Sequence, residues 1–115
     1  MMKVQAIKQA STLTTLENWG AVNTAESGEP TTSGLQVVIA GREKIDTGVF
    51  ECTPGVYRRG VEQAEVMHFI AGSGSFTEDG QETIHFTQGD TLFFEANTKG
   101  VWQIDEAIRK IYVIF

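Results

Sequence analysis

The sequence predicts an all-β barrel or jelly roll built from a single domain, and three features carry that prediction. From Leu35 onward the chain divides into eight short runs rich in β-branched and aromatic residues. Turn residues separate them at near-even spacing. Asp79-Gly80, between two alternating runs, is a hairpin signal because glycine accepts the positive φ such turns require. No segment shows a sustained helical period. Short, evenly spaced strands without helices point to a barrel or sandwich architecture.

Taken in order, residues 1–34 read as an irregular N-terminal arm. Ser11 to Gly34 is rich in Ser, Thr, Asn, Gly and Glu, with Leu13, Leu16, Trp19 and Val22 as its only larger apolar groups. One helical turn is expected near Thr15–Asn18. The arm has too little apolar content for a core of its own, so it is expected to lie across the barrel or reach a neighbouring subunit, with Trp19 buried as its anchor. Residues 35–115 form the barrel domain. Its expected strands are Leu35–Ala40, Val49–Thr53, Glu65–Ala71, Ser75–Thr77, Thr83–Thr87, Thr91–Glu95, Val101–Asp105 and Ile108–Phe115. Between them lie turn clusters at Gly41-Arg42, Pro54-Gly55, Gly72-Ser73-Gly74, Glu78-Asp79-Gly80, Gln88-Gly89-Asp90 and Asn97–Gly100.

Composition removes several function classes. A length of 115 residues supports one domain with a real core. Fifteen acids against nine Lys and Arg give a net charge of −6, which works against a nucleic-acid surface. No apolar run approaches a membrane span, and Met1 to Ala10 carries no signal-peptide core, so a cytoplasmic location with no membrane partner is expected. One cysteine, Cys52, excludes an internal disulfide framework and a cysteine-cluster zinc site.

Strand alternation sorts the remaining side chains by face. Glu65 shares its face with Met67, Phe69 and Ala71, while Val66, His68 and Ile70 take the other. Trp102 and Ile104 share a face. Lys110, Tyr112 and Ile114 alternate with Arg109, Ile111, Val113 and Phe115. Lys110 either points into the barrel or snorkels at its mouth, stem packed and amine wet. A buried carboxylate without a partner costs several kcal/mol, so pairing of Glu65 with Lys110 or Tyr112 is expected.

Other chemistry-bearing residues have plainer explanations. His68 lies opposite Glu65 and His85 sits among threonines, so both are expected on the surface. Cys52 fits a small buried hydrophobe better than a nucleophile. Gly72-Ser73-Gly74 lacks the third glycine of a nucleotide loop, since Thr77 stands there and a hairpin follows. Arg58 and Arg59 could meet an anionic ligand or partner, but two adjacent arginines in a loop are expected as a solvated pair, and neighbours on a strand would point apart.

Glu65 and Gly72, followed by Asp79-Gly80 and Gly89-Asp90, resemble the two-motif pattern of the cupin superfamily. The Gly48–Gly55 segment upstream, with Trp102 and Arg109-Lys110-Ile111-Tyr112 downstream, is similar to small cupins related to the (S)-ureidoglycine aminohydrolase cupin domain. The resemblance covers about Leu35 to Phe115. It implies a single-domain, cupin-type (RmlC-like) jelly-roll β-barrel, commonly dimeric, with an interior site. The family's metal chemistry transfers poorly. Its first motif places two histidines ahead of the glutamate, whereas Val56–Ala64 before Glu65 contains none. In the second motif, Gly100 stands at the histidine and Ile104 at the asparagine. Glu65 is the only expected ligand present, and a catalytic transition metal wants three or more. No metal site and no cofactor are therefore expected.

The expected function is binding of a small-molecule ligand in a metal-free barrel interior by a homodimer, with Tyr57, Met67, Phe69 and Trp102 lining the site. If there is catalysis, Glu65 is the general acid or base, Lys110 its electrostatic partner and Tyr112 a hydrogen-bond donor. Two alternatives stay open: a metal-dependent C–N hydrolase of the ureidoglycine aminohydrolase type, and a non-catalytic structural or regulatory dimer.

Overall fold

Two long strands organise the molecule, and four of the other seven strands hang on their edges. In a computed structural model describing residues 2–115, the strands are β1 (Glu17–Ala21), β2 (Ala25–Ser27), β3 (Thr31–Val37), β4 (Asp46–Cys52), β5 (Gly55–Arg58), β6 (Glu65–Glu78), β7 (Thr83–Thr87), β8 (Thr91–Phe94) and β9 (Gly100–Ile114). All pairings are antiparallel. β6 pairs β9 along their length, from Glu65 opposite Ile114 to Glu78 opposite Gly100. The free edge of β9 takes β5 with its first half and β4 with its second, while β6 takes β8 and then β7. Beyond β4 come β3 and β1, and beyond β5 comes β2.

The register of β6 on β9 shifts between Phe69 and Gly74. Such bulges bend a strand and increase its twist. The bend curls the single sheet into a half-barrel and lets the β3–β4 side face the β5 side across an interior. The expected all-β barrel-type fold is therefore present, in nine strands among the described residues.

Several boundaries differ from expectation. Glu65–Ala71 and Ser75–Thr77 are one strand, so Gly72-Ser73-Gly74 is a bulge inside β6 and not a turn. Val101–Asp105 and Ile108–Phe115 are likewise one strand, because the bulged stretch continues to pair, Ser73 opposite Glu106, with the Ser73 hydroxyl donating to the Glu106 carboxylate at 2.9 Å. The Asp79-Gly80 hairpin forms as expected, with Gly80 at φ 77°.

Residues 1–34 are not irregular throughout. They supply β1, β2 and the start of β3, and the helical turn lies at Ala10–Thr12, where a 3-10 turn forms, while Glu17 and Asn18 begin a strand. β1 and β2 contain Asn, Gly, Glu and Ser, so pairing to β3 and β5 forms them rather than intrinsic preference. Trp19 is 39% exposed, not buried. Its ring lies over Gly34, where a Cβ would collide with it, and 6.3 Å from Phe50, leaving one face to solvent.

Arg109 fastens the arm. On the outer face of β9 it donates to the carbonyls of Ala10 at 2.8 Å and Leu13 at 2.7 Å, and pairs with Glu51 at 2.8 Å. Ser33 donates to the other Glu51 oxygen. Arg109→Leu removes a charge that neutralises half-buried Glu51 and orphans two carbonyls. It should cost about 2–3 kcal/mol in urea unfolding and open residues 2–16 to protease; an unchanged midpoint with an uncleaved arm would refute the clasp.

Candidate functional site

The interior is filled at one end and open at the other. Five aromatic side chains pack the filled end: Phe69 stacks on Phe86 at 4.1 Å, and Phe76 lies 5.2 Å from Phe94 and 4.6 Å from Trp102. Trp102 also contacts Phe86 and Phe94, and its remaining surface is the floor of a cavity of about 500 Å³. Aromatic walls come from Trp19, Phe50 and Tyr57, with Met67, Ile108 and Ile114 as aliphatic lining.

On this wall lies a buried ion pair. Lys110 on β9 and Glu65 on β6 are 8% and 7% exposed, and Nζ sits 3.4 Å from Glu65 Oε2. The amine also donates to Met67 Sδ at 3.0 Å and lies 4.7 Å from the Phe50 ring centre and 5.6 Å from that of Trp102. Lys110 thus points inward; the snorkelling alternative does not hold. Burial pulls its ammonium below the ordinary lysine value, with the Glu65 carboxylate opposing and Arg59 adding to the fall.

Tyr112 reaches the same cavity but donates to Asp46 Oδ1 at 3.1 Å, not to Glu65. Burial and then the Asp46 carboxylate push its phenol up. Tyr57 lies beneath the Arg59 guanidinium, 5.6 Å from its ring centre, and burial first, then Cys52, raise it too. Cys52 is wholly buried, donates to the Thr53 carbonyl at 3.5 Å, and burial pushes its thiol up, the opposite of activation.

Of the residues expected to form the site, Glu65, Lys110, Tyr112, Tyr57, Met67 and Trp102 meet around one cavity. Phe69 does not: it is fully buried against Phe86 in the filled end. Alternation places it inside but cannot say which end. Phe50, Asp46 and Arg59 were missed. Phe50 stands directly opposite Lys110 in the β4–β9 register, and Gly48, Phe50 and Cys52 share a face, so alternation marks it as interior. Arg59 faces the cavity while Arg58 turns outward to Asp79 at 3.0 Å, so only Arg58 is a plain surface group. His68 and His85 are exposed, and His68 bonds Thr91 at 2.8 Å.

The donor set does not fit a metal. Among the described residues no three His, Cys, Asp or Glu side chains gather at one point. A cation on Glu65 would also have to sit against the Lys110 ammonium that already neutralises it. What the cavity offers instead is a paired acid and base in aromatic surroundings, able to hold or move a proton.

The buried groups set an alkaline limit on stability. Tyr57, Tyr112 and Cys52 are raised from ordinary values of 10.0, 10.0 and 9.0, so the fold keeps protons that the unfolded chain releases. Their contribution is complete below those values and is lost as pH rises through the folded ones. Lys110, lowered from 10.5, works the other way, but its gain ends once the unfolded amine has also titrated. Urea midpoints should therefore fall above pH 10.5, and less steeply in Tyr57→Phe; equal slopes would mean Tyr57 is not a buried phenol.

Among curated proteins, none matches this sequence. The family model for the EutQ-like cupin domain matches residues 40–112. Among solved structures, the EutQ protein of Clostridium difficile superposes with a TM-score of 0.65 at 16% identity, over 75% of this chain and 68% of that one. A protein of unknown function from Pseudomonas syringae pv. tomato gives 0.78 at 20% identity, over 90% of this chain and 45% of its own. The ectoine synthase of P. lautus gives 0.62 at 14% identity, over 80% and 64%. At these identities the likeness is one of fold. No helix among the described residues is long and apolar enough to cross a membrane.

Proposed function

This chain belongs to the EutQ-like cupin domain family, and from that premise we propose that it binds a small molecule in the open end of its half-barrel without a metal. The cavity carries the proposal. Its volume of about 500 Å³ lies within the roughly 300–1,000 Å³ of ligand pockets, and its lining sets aromatic and aliphatic side chains beside convergent polar and charged ones. Lys110 pairs with Glu65, Arg59 stands against Asp46 and Glu62 in the remaining lining, and Asp46 accepts from the Tyr112 hydroxyl, so the walls come close to charge balance with one acid in excess. An uncharged, partly aromatic ligand of modest size suits such walls. If a reaction follows binding, Glu65 is its general acid or base, with Lys110 as partner.

A C–N hydrolase of the ureidoglycine aminohydrolase type would need metal donors where Val61, Gln63 and Gly100 stand. A purely structural barrel would be expected to fill its interior, as the aromatic cluster fills the other end. Homodimerisation stays part of the proposal, and sedimentation should give twice the chain mass.

The test uses Trp102 as reporter. The chain has two tryptophans, so in Trp19→Phe the emission is that of Trp102 alone. Titration with small neutral aromatics such as benzyl alcohol should give a saturable one-site change. A strictly linear response across such a panel would refute the proposal.

A further inference from the structure

We propose that Lys110 captures carbonyl compounds covalently, condensing its amine with an uncharged aldehyde or ketone in the cavity to form an imine. This rests on the interior being a small-molecule site and adds the chemistry of that site. The geometry has three parts. The amine stands on the cavity wall, largely buried and packed against Met67, Phe50 and Trp102. A single carboxylate, Glu65, lies 3.4 Å away, close enough to exchange a proton with it. The cavity in front of both is large enough for a carbonyl carbon and its substituent.

An amine so placed meets the requirements of imine chemistry, in which a desolvated lysine is a stronger nucleophile than an exposed one. The groups facing it are few: Glu65 from β6, Cys52 from β4, and Arg59 from the segment after β5, with Tyr112 beside it on β9 and Asp46 held by Tyr112. Burial favours the neutral amine, and Glu65 is the nearest base to receive its proton.

The step balances without a redox partner. Glu65 takes a proton from the ammonium. The nitrogen lone pair attacks the carbonyl carbon, a C–N bond forms, and the carbonyl π pair moves to oxygen. One proton passes from nitrogen to that oxygen, giving a neutral carbinolamine. Glu65 then returns its proton to the hydroxyl, the C–O bond breaks, and water leaves. The product is an iminium beside the Glu65 carboxylate, the same charge pair as at the start.

The full-length chain is incubated at neutral pH with benzaldehyde and cyanoborohydride, which reduces an iminium to a stable secondary amine, and the benzylated lysines are mapped by peptide mass spectrometry. Lys44 and Lys99, both exposed, are internal controls. Lys110 should be labelled about tenfold faster than either, once per chain, and benzyl alcohol, which has the shape but no carbonyl, should slow it. Labelling of Lys44 and Lys99 at rates equal to or above Lys110 overturns the proposal. If Lys110 is spared while benzyl alcohol still saturates the Trp102 signal, imine formation fails and the binding site stands. If neither occurs, both readings fall together.

Discussion

Lys110→Met is expected to destabilise the fold by about 3–5 kcal/mol, because it strands the Glu65 carboxylate in an apolar wall with no counter-charge. Glu65 is 7% exposed, and Lys110 is the side chain it pairs with. Converting the carboxylate to a neutral amide removes most of that penalty. Lys110→Met with Glu65→Gln should therefore recover much of the loss, giving strong coupling in a double-mutant cycle. Single losses that simply add would show that the two residues do not depend on each other. Replacing the pair removes the Lys110 ammonium from beside Trp102 but leaves the packing among Phe69, Phe76, Phe86 and Phe94 in place, so the double variant should keep a folded near-ultraviolet spectrum.

Gly72→Ala should be as damaging by a different route, about 3 kcal/mol or more. Gly72 sits at φ 83°, where a side chain is strained, and a Cβ there would run into the Ala107 carbonyl oxygen and the Ile108 backbone. Those atoms belong to β9, the hub partner, and have no freedom to retreat. The bulge itself creates the constraint: at this point β6 and β9 approach closely while the sheet turns. Gly80→Ala, in the open hairpin with no neighbour within 4 Å, should cost clearly less, since it meets only the strain of positive φ. Chemical unfolding of the two variants compares them directly; equal losses would mean that crowding at the bulge contributes nothing.

The same glycine shows where sequence reasoning reaches its limit. Alternation correctly put Glu65 with Met67 and Lys110 with Tyr112, because a period of two is a property of the strand itself. A Gly-Ser-Gly tract, however, reads as a turn unless the opposite strand is known to run through it. Only the β9 partner, continuing past Glu106 and Ala107, shows that the tract is a bulge. Phe50 and Asp46 eluded the site for a related reason. Their partners Lys110 and Tyr112 lie about sixty residues on in the chain, and cross-strand register is not encoded in any local window. Strands β1 and β2 were hidden because their residues have little strand preference and are held by pairing alone. Burial of Trp19 is expected from its size; its place in the cavity wall, over Gly34, is not visible from its neighbours in sequence.

The central claim is that the open end of the half-barrel accepts a small molecule. Methyl-labelled NMR spectra of the whole chain, recorded while small neutral aromatics are added, test it most directly. The signals of Met67, Ile108 and Ile114, which line the cavity, should shift together and saturate with one apparent affinity, while Val66 and Val113, on the opposite faces of β6 and β9, stay in place. Shifts confined to Val66, Val113 and the exposed Phe93 region, with the cavity methyls unmoved, would contradict an internal site.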